Sequence, residues 1–340
     1  MKKISFYGFV IFSLLVTYAI WGVFGPTVST PVGKYFYIKT GSNYTEVKND
    51  LLQKNIISGR FFFNNLSLLS SYEKKIKAGR YEIRDGMSLF NLVRMLKSGK
   101  QSAVKLVINK IRTKEEFAKK IGLEFESDSQ DVMHFLNSNN LYTEYGLDSF
   151  TVITAIIPNT YLINWNSSVK KIFERLLYEQ KKFWNDVRLK KASEKNLTPI
   201  QVYTLASIVE EETNKPTDKL LVASVYLNRL SKGMKLEADP TIKYAMRDFG
   251  LKRILFGHLR FNSSYNTYQH SGLPPGPICT PSAETIDAVL NAPNTDFIFF
   301  VAKPEFNGYS NFASTYKEHL INAHAYQEAL DKLYKNIQTK

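Results

Sequence analysis

The sequence predicts an α+β fold behind one membrane-spanning helix, and three observations carry that prediction. Short β-rich runs are few and scattered, at residues 34–39, 76–83, 104–109 and 297–302, and each is followed by apolar residues at helical spacing. Strand-like and helix-like stretches follow one another within the residues just after position 34, the pattern of a small α+β module. Residues Ile4 to Phe24 form an uncharged run of 21 residues, long enough to cross a bilayer.

Lys2 and Lys3 precede that run, and no Lys or Arg follows until Lys34. The positive-inside rule therefore places the N-terminus in the cytoplasm and the remainder outside. A cleaved leader would have a shorter apolar core and a small-x-small site; Val23-Phe24-Gly25 is a poor match, so the run reads as an uncleaved anchor. The predicted organisation is a cytoplasmic tail at 1–3, a transmembrane helix at 4–24, a Pro/Thr-containing linker at 25–33, a small module at 34–102 and a larger domain at 103–340.

Of the 340 residues, 44% are hydrophobic, ample for a core. The net charge of +14 is unevenly placed. Residues 201–340 hold 15 Lys and Arg against 14 Asp and Glu, whereas residues 1–200 hold 30 against 17. A basic first half fits an anionic neighbour such as lipid headgroups or a cell-wall polymer. Nucleic acid is not expected, because there is no RNP-type motif, no zinc-finger spacing and no dense basic run. Cys279 is the single cysteine, which excludes an intramolecular disulfide and reads as a small buried hydrophobe.

The module begins with the strand at 34–39, followed by helices at 44–55 and 60–70, a strand at 76–83 and a helix at 89–97 capped by Ser88 and closed by Gly99. The larger domain opens with a strand at 104–109 and a helix over 114–121 capped by Thr113. Residues 153–161 are strand-like and broken by Pro158. A single long amphipathic helix is expected over 168–190, then helices at 198–213 and 218–230. Residues 237–292 read as loop-rich until Thr280-Pro281 caps a helix ending at Leu290. A buried strand at 297–302 and a helix over 314–337 complete the chain.

The helix at 198–213 carries the most pointed chemistry. Thr198 is a natural N-cap and Pro199 suits the first helical position. Val202, Leu205, Ala206 and Val209 form one apolar face, and Pro216 is expected to stop the helix. Three carboxylates, Glu210, Glu211 and Glu212, crowd its C-terminal end, where the helix dipole is negative. Helical geometry places Glu211 opposite the apolar face, in solvent, with Glu210 and Glu212 on its flanks and Glu212 nearer the centre. A carboxyl at the edge of an apolar face is a candidate general acid with a raised pKa. A solvated helix end is the bland alternative.

In the loop-rich segment, Asp239-Pro240-Thr241, Tyr265-Asn266-Thr267-Tyr268 and Gly272-Leu273-Pro274-Pro275-Gly276-Pro277 offer amides, rings and stiff turns. Amides bond hydroxyls and N-acetyl groups, and aromatic rings pack on sugar faces. These loops read either as a sugar-binding wall, with Asp239, Tyr265, Asn266, Tyr268, Pro274 and Pro275 as its residues, or as ordinary turns. Metal chemistry is not expected, since His319 and His324 do not share a helix face and no HExxH is present. No cofactor is expected either, there being no phosphate-binding loop and no Gly-x-Ser-x-Gly elbow.

Taken in order, these blocks resemble the membrane-anchored endolytic murein transglycosylases, the YceG-like family. The residues that carry the resemblance are Leu205 through Thr213, Val222 through Leu230, Gly233 through Leu236, Asp239-Pro240-Thr241, Tyr265 through Tyr268, Gly272 through Ile278 and Phe300-Val301-Ala302. The stretch from Ala78 to Gly99 looks like the family's LysM-like subdomain. One departure is visible: the Gly-His usual before the last helix stands here as Gly308-Tyr309, while His319 falls near the family's late histidine.

The resemblance implies a LysM-like module at 34–102 and a transglycosylase domain at 103–340. It implies cleavage of the MurNAc–GlcNAc β-1,4 bond of peptidoglycan strands with 1,6-anhydro ends, terminating nascent strands. Glu212 would be the acid/base and Glu210 a supporting or alternative carboxylate. Single-pass attachment to the inner membrane with the catalytic domain in the periplasm, and peptidoglycan synthases as neighbours, belong to the same expectation. The rival readings are a water-using muramidase and a tethered cell-wall scaffold without catalysis.

Overall fold

The computed structural model describes residues 2–338, and the chain divides into two compact units. The first comprises Met1–Leu106, Ile121–Asp128 and Tyr161–Ser168. It opens with α1 (Lys2–Phe24), whose apolar side chains are exposed along most of its length. Of the tail expected at 1–3, Met1 lies outside the described residues, and Lys2 and Lys3 begin the helix.

Next come β1 (Tyr35–Ile38), α2 (Tyr44–Gln53), α3 (Arg60–Leu69), β2 (Gly79–Glu82) and α4 (Leu89–Ser98). The two strands pair antiparallel, with Tyr35 opposite Glu82 and Ile38 opposite Gly79. Their alternation buries Phe36, Ile38 and Tyr81 under the helices, beside Leu51, Phe63 and Leu92. Asn43 closes a capping box with Glu46 on α2, and Ser88 caps α4, which ends at Gly99 with φ of 72°.

The segment at 25–33 is more than a spacer. The Val28 N–H donates to the Met87 carbonyl (3.1 Å) and the Ser29 N–H to that of Ile56 (3.0 Å). Val28 is itself buried, so these residues are stitched into the core of the unit.

The second unit comprises Val107–Lys120, Ser129–Thr160 and Val169–Lys340. The chain enters it through β3 (Val104–Ile108), α5 (Lys114–Glu124), α6 (Ser129–Leu136) and α7 (Asn140–Tyr145). β4 (Asn159–Ile163) then pairs with β3. The strand expected at 153–161 starts late because residues 152–155 form a 3-10 turn. Asp148 drives that turn by accepting the N–H groups of Phe150 (2.9 Å) and Thr151 (2.8 Å).

The long helix expected over 168–190 is two, α8 (Val169–Phe183) and α9 (Asp186–Glu194). Asn185 separates them, its side chain accepting the Arg188 N–H at 3.1 Å and so starting a new helix.

The centre of the unit is α10 (Pro199–Glu212), flanked by α11 (Pro216–Ser231), α12 (Asp239–Ala245) and α13 (Ala283–Leu290). Thr198 and Gln201 form a capping box at its start. Every residue from Val202 to Val209 is buried, so α10 is enclosed on all sides rather than along one stripe. Pro216 takes the first position of α11 rather than ending α10. Within the stretch read as loops, residues 239–245 form α12 with Pro240 in its first turn.

β5 (Phe299–Ala302) and β6 (Ser310–Ala313) form an antiparallel hairpin with Phe299 opposite Ala313. β5 is half-buried rather than buried, and β6 was not expected. Finally, α14 (Tyr316–Gln338) packs on this hairpin.

Candidate active site

Because α10 is buried all round, its last turn delivers three successive glutamates into three different surroundings. Glu210 points to α11 and α13. It pairs with Lys219 Nζ at 3.2 Å and accepts the hydroxyls of Ser282 (3.0 Å) and Thr285. Lys219 also donates to Thr285 Oγ1 at 2.6 Å. Burial pulls this carboxyl's pKa up, but the Thr285 hydroxyl and the Lys219 ammonium outweigh it and hold it below the usual carboxylate range. Glu210 is a fixed anion in a closed network.

Glu211 departs from the sequence expectation of a solvated side chain. Arg112 grips it with two hydrogen bonds, Nε to Oε1 (3.1 Å) and Nη2 to Oε2 (3.0 Å), and Lys110 Nζ approaches Oε1 at 3.2 Å. Both cations come from the turn after β3, about a hundred residues upstream, which no helical wheel on α10 could anticipate. They override the effect of burial and keep Glu211 ionised below the usual range.

Glu212 forms no ion pair among the described residues; Lys243 acts on it only as a nearby charge. Its Oε1 accepts the hydroxyl of Tyr226 on α11 at 2.7 Å. Burial of the carboxyl raises its pKa to about 7; the Tyr226 hydrogen bond and the Lys243 charge oppose that rise, and the negative charges of Asp239 and Glu211 add to it. Of three neighbouring glutamates, only this one is poised to carry a proton near neutral pH. Tyr226 is buried, and burial beside Glu212 holds its phenol protonated, so it stays a donor.

Glu212 sits in the wall of a cleft of about 290 Å³ lined also by Asp239, Tyr268, Arg229, Glu237 and His319, with Phe299 and Phe300 from β5. Tyr268 donates to Asp239 Oδ1 at 2.6 Å, which fixes both side chains on one lip. Arg229 is buried and braces the opposite wall. Its Nε donates to the Ile298 carbonyl (2.7 Å), and its Nη1 to the Leu236 carbonyl (3.0 Å) and Glu237 Oε2 (3.0 Å). His319 stacks on Phe299 with ring centroids 5.0 Å apart. Its buried Nδ1 has no hydrogen-bond partner among the described residues, and burial with the nearby Arg229 lowers its pKa. Glu212 also borders a second depression on its other side, with Lys110, Lys215 and Gly308.

Of the residues expected from sequence to bind substrate, the fold brings Asp239 and Tyr268 to Glu212. The other four stand elsewhere. Asn266 is fully buried, and its amide is consumed by the loop: Nδ2 donates to the carbonyls of Leu259 (3.0 Å) and Phe261 (2.8 Å), and Oδ1 accepts the Tyr268 N–H (3.0 Å). Fully buried, it presents no atom to an N-acetyl group; its work is to hold the backbone of Tyr268. Tyr265 packs its ring on Tyr244, with centroids 4.6 Å apart, in the core. Pro274 is buried and Pro275 exposed, and neither lines the cleft. The turn they stiffen is pressed against the chain at Phe150, so close that a Cβ on Gly276 would strike the Phe150 carbonyl.

The YceG-like family model matches residues 36–325. The chain belongs to the YceG-like family. It is 27% identical over 299 residues to the endolytic murein transglycosylase of Bacillus subtilis, covering 83% of this chain and 81% of that one. It is 25% identical over 304 residues to the endolytic murein transglycosylase of Streptococcus pneumoniae, covering 78% of this chain and 53% of the longer relative. A crystal structure of a YceG-like protein from Listeria monocytogenes superposes with a TM-score of 0.54 at 26% identity, covering 84% of this chain and 97% of that one.

Tyr226, Arg229, Glu237, Phe299 and Phe300 line the cleft without having been singled out for a role. Tyr226 and Arg229 lie in a stretch that carries the family resemblance, each one position before the Leu227 and Leu230 that helical spacing turns inward, and the fold buries both. A buried tyrosine and a buried arginine each demand a polar partner, and that demand is the one local signal of the site. At the family's departure, Tyr309 receives Lys215 Nζ over its ring at 4.7 Å.

Proposed function

We propose that this YceG-like protein is an endolytic murein transglycosylase in which Glu212 is the sole acid/base. The observation that carries the reading is the contrast along one helical turn: Glu210 and Glu211 are tied to cations, whereas Glu212 faces the cleft with a pKa of about 7. The names borne by the Bacillus and Streptococcus relatives support the substrate class.

In the proposed reaction, protonated Glu212 gives its proton to the glycosidic oxygen as the C1–O bond of the MurNAc unit breaks. The resulting carboxylate takes the proton from the C6 hydroxyl, whose oxygen closes on C1 to give a 1,6-anhydro end. One carboxyl serves both steps, first as acid and then as base. Tyr226 occupies Oε1, which leaves the other oxygen to carry the proton. Asp239 places negative charge beside the carbon that becomes electron-poor, while Glu237 is already paired with Arg229. Bulky side chains around the cleft hold the strand so that the C6 hydroxyl is the nucleophile at hand.

The 34–102 segment is proposed to be a LysM-like module, a reading supported by its strand-helix-helix-strand order and antiparallel pair. The domain from 103 onward carries the cleft. The apolar helix Phe6–Phe24 supports a single-pass anchor, and Lys2 and Lys3 support an extracytoplasmic catalytic domain close to the enzymes that polymerise the strands.

Product analysis tests the chemistry. Purified glycan strands digested by the protein are separated and weighed by mass spectrometry. Anhydro ends, each lighter than a reducing end by one water, are expected. Reducing ends would identify a muramidase that needs a second carboxylate, and uncut strands a binding protein.

A further inference from the structure

The first unit grips its apolar helix from the side, well before that helix ends. Tyr18 packs edge-on against Phe62 of α3 at 5.4 Å, and a Cβ on Gly22 would strike the same Phe62 ring. Phe24 meets Phe90 of α4 at 5.3 Å. The uncharged run Ile4–Phe24, which contains the apolar span Phe6–Phe24, has 21 residues and at about 1.5 Å per residue is little longer than a hydrocarbon layer of about 30 Å. Tyr18 lies six residues before the end of that span, about 9 Å along the axis. A helix packed beside Tyr18 therefore lies below the membrane surface whenever the span is in a bilayer.

The exposed side of α3 fits that depth. Phe61 and Leu68, seven apart, share a face and are 72% and 61% exposed, and Leu69 beside them is 84% exposed; Asn65, which lies among them, turns its amide back to donate to the Phe61 carbonyl at 2.8 Å. Between α1 and α3 runs a groove of about 480 Å³ lined by Tyr18, Trp21, Ile57, Phe62 and Leu89. Arg60, exposed and in no ion pair among the described residues, also lines it. Tyr and Trp with a nearby cation are the side chains that settle where hydrocarbon meets headgroup.

We infer that α3 is a membrane-embedded element: its Phe61–Leu68–Leu69 face lies among the acyl chains of the leaflet on the module's side, and the α1–α3 groove seats a bilayer phospholipid, one chain against Tyr18, Trp21 and Phe62 and the phosphate at Arg60. The inference rests on the reading of α1 as an anchor. It makes the first unit a fixture of the membrane surface, held by a helix across it and a second helix within it, so the anchor cannot swing freely at its end.

Full-length protein in a Cys279→Ala background is reconstituted into phosphatidylglycerol/phosphatidylethanolamine vesicles. A fluorescent thiol label is placed singly at Leu14, Ser58, Phe61, Leu68 or Tyr142, the last being exposed in the second unit. Each label is challenged with iodide in the water and with lipids carrying a doxyl quencher. Labels at Ser58, Phe61 and Leu68 are expected to lose most of their emission to doxyl lipid and little to iodide, as at Leu14, with Tyr142 the reverse. A quenched Leu14 label with Ser58, Phe61 and Leu68 open to iodide, or shielded from both quenchers, overturns the inference and leaves the anchor standing. A Leu14 label untouched by doxyl lipid removes the anchor and the inference together.

Discussion

The Tyr226 hydroxyl donates to Glu212 Oε1 at 2.7 Å, joining the last turn of α10 to the middle of α11. That bond favours the ionised carboxylate, and burial opposes it and prevails. Removing the donor should therefore raise the pKa of Glu212 further. In Tyr226→Phe the alkaline limb of the pH–rate profile is expected to move upward, with a lower maximal rate as the carboxyl loses its fixed orientation. A limb that stays in place or moves downward would show that another group titrates.

The same carboxyl makes a stability prediction. Its pKa is about 7 in the folded chain and 4.5 in an ordinary glutamate. Between those values the folded protein retains a proton that the unfolded chain has released. Stability should fall as pH rises through that window and level off above about 7. Denaturant melts across the window should show the decline in the parent and lose it in Glu212→Gln.

Glu210 behaves in the opposite sense. It is paired and hydrogen-bonded, with its side chain 12% exposed and that of Lys219 7%. Glu210→Gln strands the Lys219 charge and is expected to cost about 3–5 kcal/mol of stability, the usual consequence of breaking a buried pair. Because its pKa is lowered, its contribution is present above the ordinary carboxylate range and is lost as the medium is acidified. Urea titration at neutral and acidic pH reads both effects. A stable Glu210→Gln protein with abolished cleavage would return Glu210 to the role of a second catalytic carboxylate.

Asn266→Ala should lower the melting temperature, because the Phe261 carbonyl and the Tyr268 N–H lose their partner and the Leu259 carbonyl keeps only Gln269 Nε2 at 3.3 Å. Each unsatisfied buried group costs about 1–3 kcal/mol before relaxation. Cleavage is expected to fall only as far as unfolding and the displacement of Tyr268 explain. Full thermal stability with lost turnover would mean that the amide reaches substrate after all.

The sequence made the centre of this molecule legible because its signals are local. Thr198 and Pro199 start α10 where capping chemistry demands, and the wheel on that helix separates Glu212 from Glu211, as their different partners also do. The same wheel fails on Glu211's surroundings, since the cations that bind it come from the turn after β3. It also mistakes a helix buried on every side for one with a single apolar stripe. The loop carrying Asn266 shows the limit from the other direction: a polar side chain among turns reads as a ligand group, and only its three partners reveal it as a brace. Asn185 divides what periodicity makes one helix, since a single cap residue outweighs a continuing apolar pattern.

The central claim is that Glu212 alone moves the proton. Its most direct test is the rate at which purified glycan strands are cut by Glu212→Gln under conditions where the variant is shown by its melt to be folded. A loss on the order of 10²–10⁴ in rate is expected, as for removal of a general acid. Glu211→Gln, cut off from Arg112 and Lys110, should be less stable but should still cleave. A folded Glu212→Gln protein that cleaves at the parent rate, or a folded Glu211→Gln protein that does not cleave, would contradict the account.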